Sequence, residues 1–207
     1  MKILFYGDSI TDCSRTRDGG FLSGLGYGYV HNIALDLIGK DPEKYQIINR
    51  GISGNRVVDL YARIKMDCWN HNPDVLSILI GVNDVWHEIN NGNGVELDRF
   101  ENIYRLMLKE TKQRFPNIKL IILEPFVLCG LATEQNFETF KDVYKYARVA
   151  EKLAKEFDAK FVPLQKLLDE ASEKYGVATC LTDGVHPNAY GARLIAKEWL
   201  KAFEEIE

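Results

Sequence analysis

Two stretches at opposite ends of the chain carry the residue types of nucleophilic catalysis. Near the start, an apolar run at residues 3–6 leads directly into Gly7-Asp8-Ser9, and near the end stands Asp183-Gly184-Val185-His186-Pro187. A serine hydroxyl is a poor nucleophile until a base takes its proton, and an imidazole does so best when a carboxylate fixes its tautomer and steadies its positive charge. Asp183 and His186, three residues apart in a tight turn, can supply both groups, and Pro187 stiffens the backbone behind them. Ser9 is therefore the candidate nucleophile, His186 the base and Asp183 its orienting acid.

Each motif has a plainer explanation when taken alone. Gly-Asp-Ser is also a turn or a helix cap, because Asp and Ser both cap well. Ser53 is a rival nucleophile: Gly51-Ile52-Ser53-Gly54-Asn55 nearly matches the G-x-S-x-G elbow, with Asn55 in place of the last glycine. Acyl transfer also needs donors for a developing oxyanion. The backbone N–H groups of Ser9 and Gly54 and the side-chain amide of Asn83, in Gly81-Val82-Asn83-Asp84, are the candidates. Asp8 reads as a carboxylate that hydrogen-bonds the first loop or touches substrate, not as a second acid. His31 and His71 read as structural, whereas His87 and Trp86, just after the third strand, are candidate substrate contacts. Tyr27 and Tyr29 can stack on a sugar ring, although packing against the first helix is the plainer reading. The Asn- and Gly-rich run at residues 90–94 suggests a mobile flap, and Arg15, Arg17 and Arg56 read as scattered surface charges. Cys13 lies four residues from Ser9 and is a candidate for thiol reagents.

These residues need a scaffold that brings the two ends of the chain together. Short runs rich in Ile, Val, Leu and Phe at residues 2–6, 45–49, 75–80, 119–123 and 160–162 predict strands covered on both faces. Helical spacing appears at 28–38, 56–68, 97–115, 137–157, 164–175 and 189–206. Strand and helix alternate, which predicts an α/β fold with one parallel sheet between helices and functional groups outside the carboxyl ends of the strands. The loops that matter are then 7–27, 51–55, 81–97, 124–136 and 179–188. Over 207 residues no repeat or low-complexity tract interrupts the chain, so one domain over residues 1–207 is expected.

Composition removes several function classes. Hydrophobic residues make up 46% and charged residues 27%, ordinary for a globular chain, and 26 basic against 30 acidic residues leave a net charge of −4. That balance offers no basic face for nucleic acid or an anionic membrane. The four cysteines are scattered with no C-x-x-C pair, which excludes zinc-ribbon and thioredoxin motifs and suggests free thiols in a reducing compartment. The first residues lack a leader-like apolar stretch, so a cytoplasmic location is expected. Neither G-x-x-x-x-G-K-[ST] nor G-x-G-x-x-G occurs, which weighs against a flavodoxin-like module that binds a nucleotide or flavin without catalysis.

Gly7-Asp8-Ser9, Gly54 with Asn55, Gly81-Val82-Asn83-Asp84 and Asp183-x-x-His186 together resemble, in order, the four sequence blocks of the SGNH (GDSL-type) hydrolases, over nearly the whole chain. The resemblance implies a flavodoxin-like three-layer α/β/α sandwich with a five-stranded parallel sheet in the order 2-1-3-4-5. It implies Ser9, His186 and Asp183 as the catalytic triad and Ser9, Gly54 and Asn83 as the oxyanion hole. Ile10 stands where the short family name has Leu, a conservative change. The longer stretches 7–13, 49–55 and 81–86 resemble intracellular bacterial esterases that deacetylate xylo-oligosaccharides. They imply a serine esterase for short acyl groups, with an acetylated oligosaccharide as partner, no cofactor, no metal and homo-oligomeric assembly. A lysophospholipase or thioesterase for longer acyl chains is the alternative within the family, and it would require an exposed apolar groove.

Overall fold

The structure, a computed structural model, describes residues 1–17 and 22–207. Five strands, β1 (Lys2–Gly7), β2 (Gln46–Gly51), β3 (Val75–Leu79), β4 (Lys119–Leu123) and β5 (Lys160–Val162), pair in parallel in the order β2-β1-β3-β4-β5. This is the α/β sheet that the strand pattern and the family resemblance anticipate. The inner strands β1, β3 and β4 are mostly apolar and buried because helices cover both faces, whereas the edge strand β2 alternates buried with more exposed positions. The central strand β3 is buried at every position, and its one polar side chain, Ser77, accepts a hydrogen bond of 2.9 Å from the Trp199 indole.

The connecting helices are α1 (Ser9–Asp12), α2 (Tyr29–Lys40), α3 (Val57–Asp67), α4 (Val82–Asn91), α5 (Leu97–Arg114), α6 (Phe137–Phe140), α7 (Val143–Glu156), α8 (Gln165–Tyr175), α9 (Val177–Cys180) and α10 (Ala189–Glu204). Helices α2 and α10 pack together, and α3, α5 and α7 adjoin in turn. The last helix ties the end of the chain to its beginning. Trp199 stacks on Phe203 at 5.0 Å between ring centroids and meets Phe5 of β1 at 5.0 Å. Removing so large a buried ring costs about 3–5 kcal/mol, so α10 holds in place the strand that leads to Ser9.

Several local expectations change. Residues 81–97 are mostly helix, not loop: Val82, Val85, Trp86 and Ile89 recur at helical spacing, a signal diluted by the polar residues among them. The stretch 137–157 divides into α6 and α7, because Tyr144 and Lys145 donate to carbonyls three residues back, in a tighter turn. Within 7–27 the chain forms α1 and a 3₁₀ turn at Ser23–Leu25; residues 18–21 lie outside the described residues. Among the described residues no helix is long and apolar enough to cross a membrane.

Candidate active site

Strand register places the chemistry. Gly7 pairs with Gly51 on one side and Leu79 on the other, so β1, β2 and β3 end together. The three segments that follow, Asp8-Ser9, Ile52–Asn55 and Ile80–Asn83, therefore start side by side at the carboxyl edge of the sheet. A Cβ at Gly51 would lie 2.2 Å from the Asp12 nitrogen, which shows how closely the second segment packs on α1. Arg15, buried, donates from Nε to the Gly51 carbonyl at 2.8 Å, and Arg17 reaches the same oxygen at 3.0 Å.

Ser9 is the first residue of α1, and Asp8 caps that helix by accepting from the Ile10 N–H at 2.9 Å. The Ser9 Oγ lies 2.9 Å from His186 Nε2, and His186 Nδ1 lies 2.7 Å from Asp183 Oδ2. The other Asp183 oxygen accepts from the N–H groups of Val185 and His186 at 2.9 and 2.8 Å. Burial alone would raise the Asp183 carboxyl, but the His186 ring and these two N–H donors outweigh it and hold it at about 2. The same contact raises the His186 pKa above its ordinary value, against the opposing effect of burial. An ionised acid and a basic imidazole in line with a serine hydroxyl make an arrangement that can activate a nucleophile.

The Asp–His turn is clamped from behind. Gly184 has φ 102°, a conformation that favours glycine, and a Cβ there would stand 2.6 Å from the Leu128 carbonyl oxygen. The N–H groups of Leu128 and Ala132 donate to the carbonyls of Gly184 and Asp183, both at 2.8 Å. Buried Thr133 accepts from the Gly130 N–H and donates to the Leu128 carbonyl. On the other side the Trp86 ring faces that of His186, with 5.9 Å between centroids.

The candidate oxyanion donors converge on the same edge. Ser9 N–H is at the first position of a helix, where the helix itself supplies no acceptor. Gly54 turns at φ 82°, a conformation for which glycine is suited, in a turn closed by Asn55 N–H to the Ile52 carbonyl. Asn83, buried in the first turn of α4, spends one amide hydrogen on the Asn55 carbonyl at 3.1 Å, which orients the other. A cleft of about 280 Å³, lined by Ser9, His186, Ser53, Cys13 and Pro187 among others, opens over the serine. A more voluminous hollow of about 570 Å³ lies at the opposite end of the sheet, around Met1, Asp74 and Lys119, away from the serine and histidine.

Comparison with known proteins fixes the family. The family model of GDSL-like lipases and acylhydrolases matches residues 5–194. The chain belongs to the GDSL-like lipase/acylhydrolase family. It is a carboxylic ester hydrolase. An acetylxylan esterase from Geobacillus stearothermophilus is 36% identical over 97% of this chain and 92% of its own. A solved structure of that enzyme has a TM-score of 0.85 at 34% identity, covering 97% of this chain and 93% of that one. Forms described as catalytic mutants replace a serine, an aspartate and, three positions further on, a histidine by alanine. A GDSL-like lipase structure from Parabacteroides merdae has a TM-score of 0.91 at 40% identity, covering 98% of this chain and 95% of that one.

In this GDSL hydrolase the rival serine has no histidine partner. Ser53 donates from Oγ to Asp12 Oδ2 at 3.0 Å, and Asp12 is itself paired with Arg17 at 2.8 Å. His87 is half-buried beside the Gly54 turn, with its pKa lowered by burial and by Arg56. Tyr27 is 74% exposed, whereas Tyr29 is buried with its hydroxyl against Thr11, so its ring packs in the core beneath the cleft. The run at 90–94 is fastened, not free. Gly94 N–H donates to Glu88, Val95 N–H to the Asp84 carbonyl, and Arg56 to the Asn93 carbonyl. Arg15, Arg17 and Arg56 thus secure loops at the site and are not scattered charges. Sequence reasoning missed two roles: the clamping of the Asp–His turn by residues 128–133, within the 124–136 loop, and that of Asp84, whose side chain accepts from the Val57 N–H at 3.0 Å.

Proposed function

We propose that this GDSL hydrolase removes acetyl groups from xylo-oligosaccharides or closely similar acetylated sugars through an acyl-enzyme on Ser9. The observation that carries the proposal is the hydrogen-bonded line from Ser9 Oγ through His186 to Asp183, opening on a cleft of about 280 Å³. Its size suits an acetyl group and the adjoining sugar better than a long acyl chain. The acetylxylan esterase relative supports the substrate class, and its serine, aspartate and histidine mutants support the roles.

His186 takes the Ser9 proton as Oγ adds to the ester carbonyl. The N–H groups of Ser9 and Gly54 and the free amide hydrogen of Asn83 hold the resulting oxyanion. The tetrahedral intermediate expels the sugar alkoxide, which takes the proton from His186, and leaves acetyl on Ser9. A water, giving a proton to His186, then adds to the acetyl carbonyl, and the second tetrahedral intermediate expels Ser9 Oγ, which takes that proton back from His186 as acetate leaves. Nucleophile, base and donors all come from the chain, so these steps call for no cofactor. Trp86 and His87 border the path of the leaving sugar, Asp8 acts from within the loop, and Tyr27 reaches solvent at its rim. Residues 1–207 act as one catalytic unit, in the cytoplasm and as a homo-oligomer.

The test is hydrolysis of acetylated xylo-oligosaccharides beside p-nitrophenyl esters from acetate to palmitate. Acetate release from the sugars, with rates falling as the acyl chain lengthens, is expected. A preference for palmitate would overturn the proposal in favour of a long-chain lysophospholipase or thioesterase.

A further inference from the structure

Two carboxylic side chains flank the oxyanion donors and take no part in the steps above. Asp8 immediately precedes Ser9, and Asp84 immediately follows Asn83. Asp8 is 0% and Asp84 1% exposed, among the most buried acids of the described chain. Each uses Oδ1 to accept a backbone N–H from another residue, Ile10 and Val57 respectively, and its own backbone N–H adds a weaker contribution. The second oxygen of each, Oδ2, is buried without a hydrogen-bond partner. Neither forms an ion pair in the described structure: Arg56, the nearest cation felt by Asp84, is committed to Asp59 and Asn93. A carboxylate taken fully out of water with only backbone donors on one side and no ion-pair partner is expensive, and the usual relief is to keep its proton.

The contrast with Asp183 shows what such a group lacks. Asp183 has two backbone N–H donors and an imidazole, and it ionises readily. Burial instead pushes Asp8 up to about 7 and Asp84 up to about 8. The Asp8 charge also raises Asp84, so ionising one opposes ionising the other. The charged and titratable groups that face the pair are His186, Asp12 and Tyr29 around Asp8, and Arg56 and Tyr146 around Asp84.

We propose that Asp8 and Asp84 form a coupled, buried carboxyl pair that keeps at least one proton at neutral pH, and that ionisation of Asp84 sets the alkaline limit of turnover. A second negative charge next to Asn83 opposes the negative charge that grows on the carbonyl oxygen during attack. Asp84 is the member that carries this penalty, because it adjoins Asn83 in the chain and its one cationic neighbour, Arg56, is engaged by Asp59 and acts on it only weakly, whereas His186 offsets a charge on Asp8. Asp84 is thus a positioning residue: it fixes the Val57 end of the Gly54 turn through Oδ1 and, while protonated, leaves the oxyanion hole without a competing charge. This inference rests on the oxyanion role proposed for Asn83.

Infrared spectroscopy of the full-length protein in D₂O reads the protons directly, independently of activity. A protonated carboxylic acid has a carbonyl stretch distinct from those of carboxylates and amides. At about pH 6, where ordinary Asp and Glu side chains are ionised, wild type should keep such a band. It should fade as the pH rises, and Asp84→Asn should lack part of it. No acid band at that pH in wild type would overturn the pair. That measurement needs no mutant, so it decides even if Asp84→Asn fails to fold, and Asp8→Asn offers a second assignment.

The rate test is separate. Turnover of p-nitrophenyl acetate by wild type should fall on the order of tenfold on the alkaline side as the pair ionises. Asn is the neutral isostere of the protonated acid, so the ratio of alkaline to neutral rates should rise severalfold in Asp84→Asn. An unchanged ratio, with the infrared band present, would overturn the catalytic half of the proposal. An infrared pair in a protein without esterase activity would instead fault the reading of the site.

Discussion

Ser9 and Ser53 line one cleft, yet the first meets a histidine and the second a carboxylate. Behind Ser9 stands His186, held in orientation by Asp183; behind Ser53 stands Asp12, which also accepts the Ser53 N–H at 2.9 Å and is paired with Arg17. Both serines thus have an acidic residue within two contacts. The difference is the imidazole between. A carboxylate surrounded by donors is stabilised as an anion and makes a poor base, while an imidazole with a pKa near neutrality can take a proton and give it back. The pair of serines differs in the partner of the hydroxyl more than in the local motif around it, and that partner is the ground for proposing Ser9 as the nucleophile.

The largest break in that comparison is removal of the Ser9 hydroxyl. Ser9→Ala should lower kcat for p-nitrophenyl acetate by about 10⁴-fold or more, with the circular dichroism spectrum unchanged. Asp183→Asn should cost on the order of 10⁴-fold, since the imidazole then loses its orienting anion. It also sharpens the acid–base half of the comparison. The Asp183 contact holds the His186 pKa above its ordinary value of 6.5, and only neutral His186 can act as base. The acid limb of the wild-type kcat/KM profile should therefore lie above pH 6.5 and move to lower pH in Asp183→Asn. A limb that stays in place would remove the His186–Asp183 contact from the account.

Asn83→Ala comes next. Loss of one oxyanion donor should cost roughly 10² to 10³ in kcat, about 3–4 kcal/mol, with KM little changed. A change in KM alone would make Asn83 a substrate contact and leave the oxyanion to the two backbone donors.

What the sequence made legible follows from how each feature is encoded. The five strands appear in it because a sheet covered on both faces needs continuous apolar runs such as 75–79 and 119–123. Ser9, His186, Asp183 and Asn83 are legible because chemistry restricts residue type, and strand ends restrict where it can stand. Helix α4 was hidden because its outward and siteward faces are polar: Asn83, Asp84 and His87 interrupt an apolar face of only Val82, Val85, Trp86 and Ile89. Arg15 looked like a surface charge because burial of a guanidinium depends on a distant partner, here the Gly51 carbonyl 36 positions away. The clamp at 128–133 was invisible for the same reason, since its hydrogen bonds join main chain to main chain across about 50 residues.

The smallest effect belongs to the other serine. Ser53→Ala removes the hydroxyl bond to Asp12 but leaves the Ser53 N–H bond to the same oxygen and the Arg17 pair intact. The stability cost should be about 1 kcal/mol, read from urea unfolding, because one of several donors to a partly satisfied acceptor is lost. Turnover should stay within roughly tenfold of wild type, since the Gly54 turn keeps its backbone hold on α1. The sharpest outcome is the ratio of the two alanine variants under one assay. If Ser53→Ala lost as much activity as Ser9→Ala, Asp12 would have to be acting as a base despite its ion pair, and the distinction between the two serines would fail.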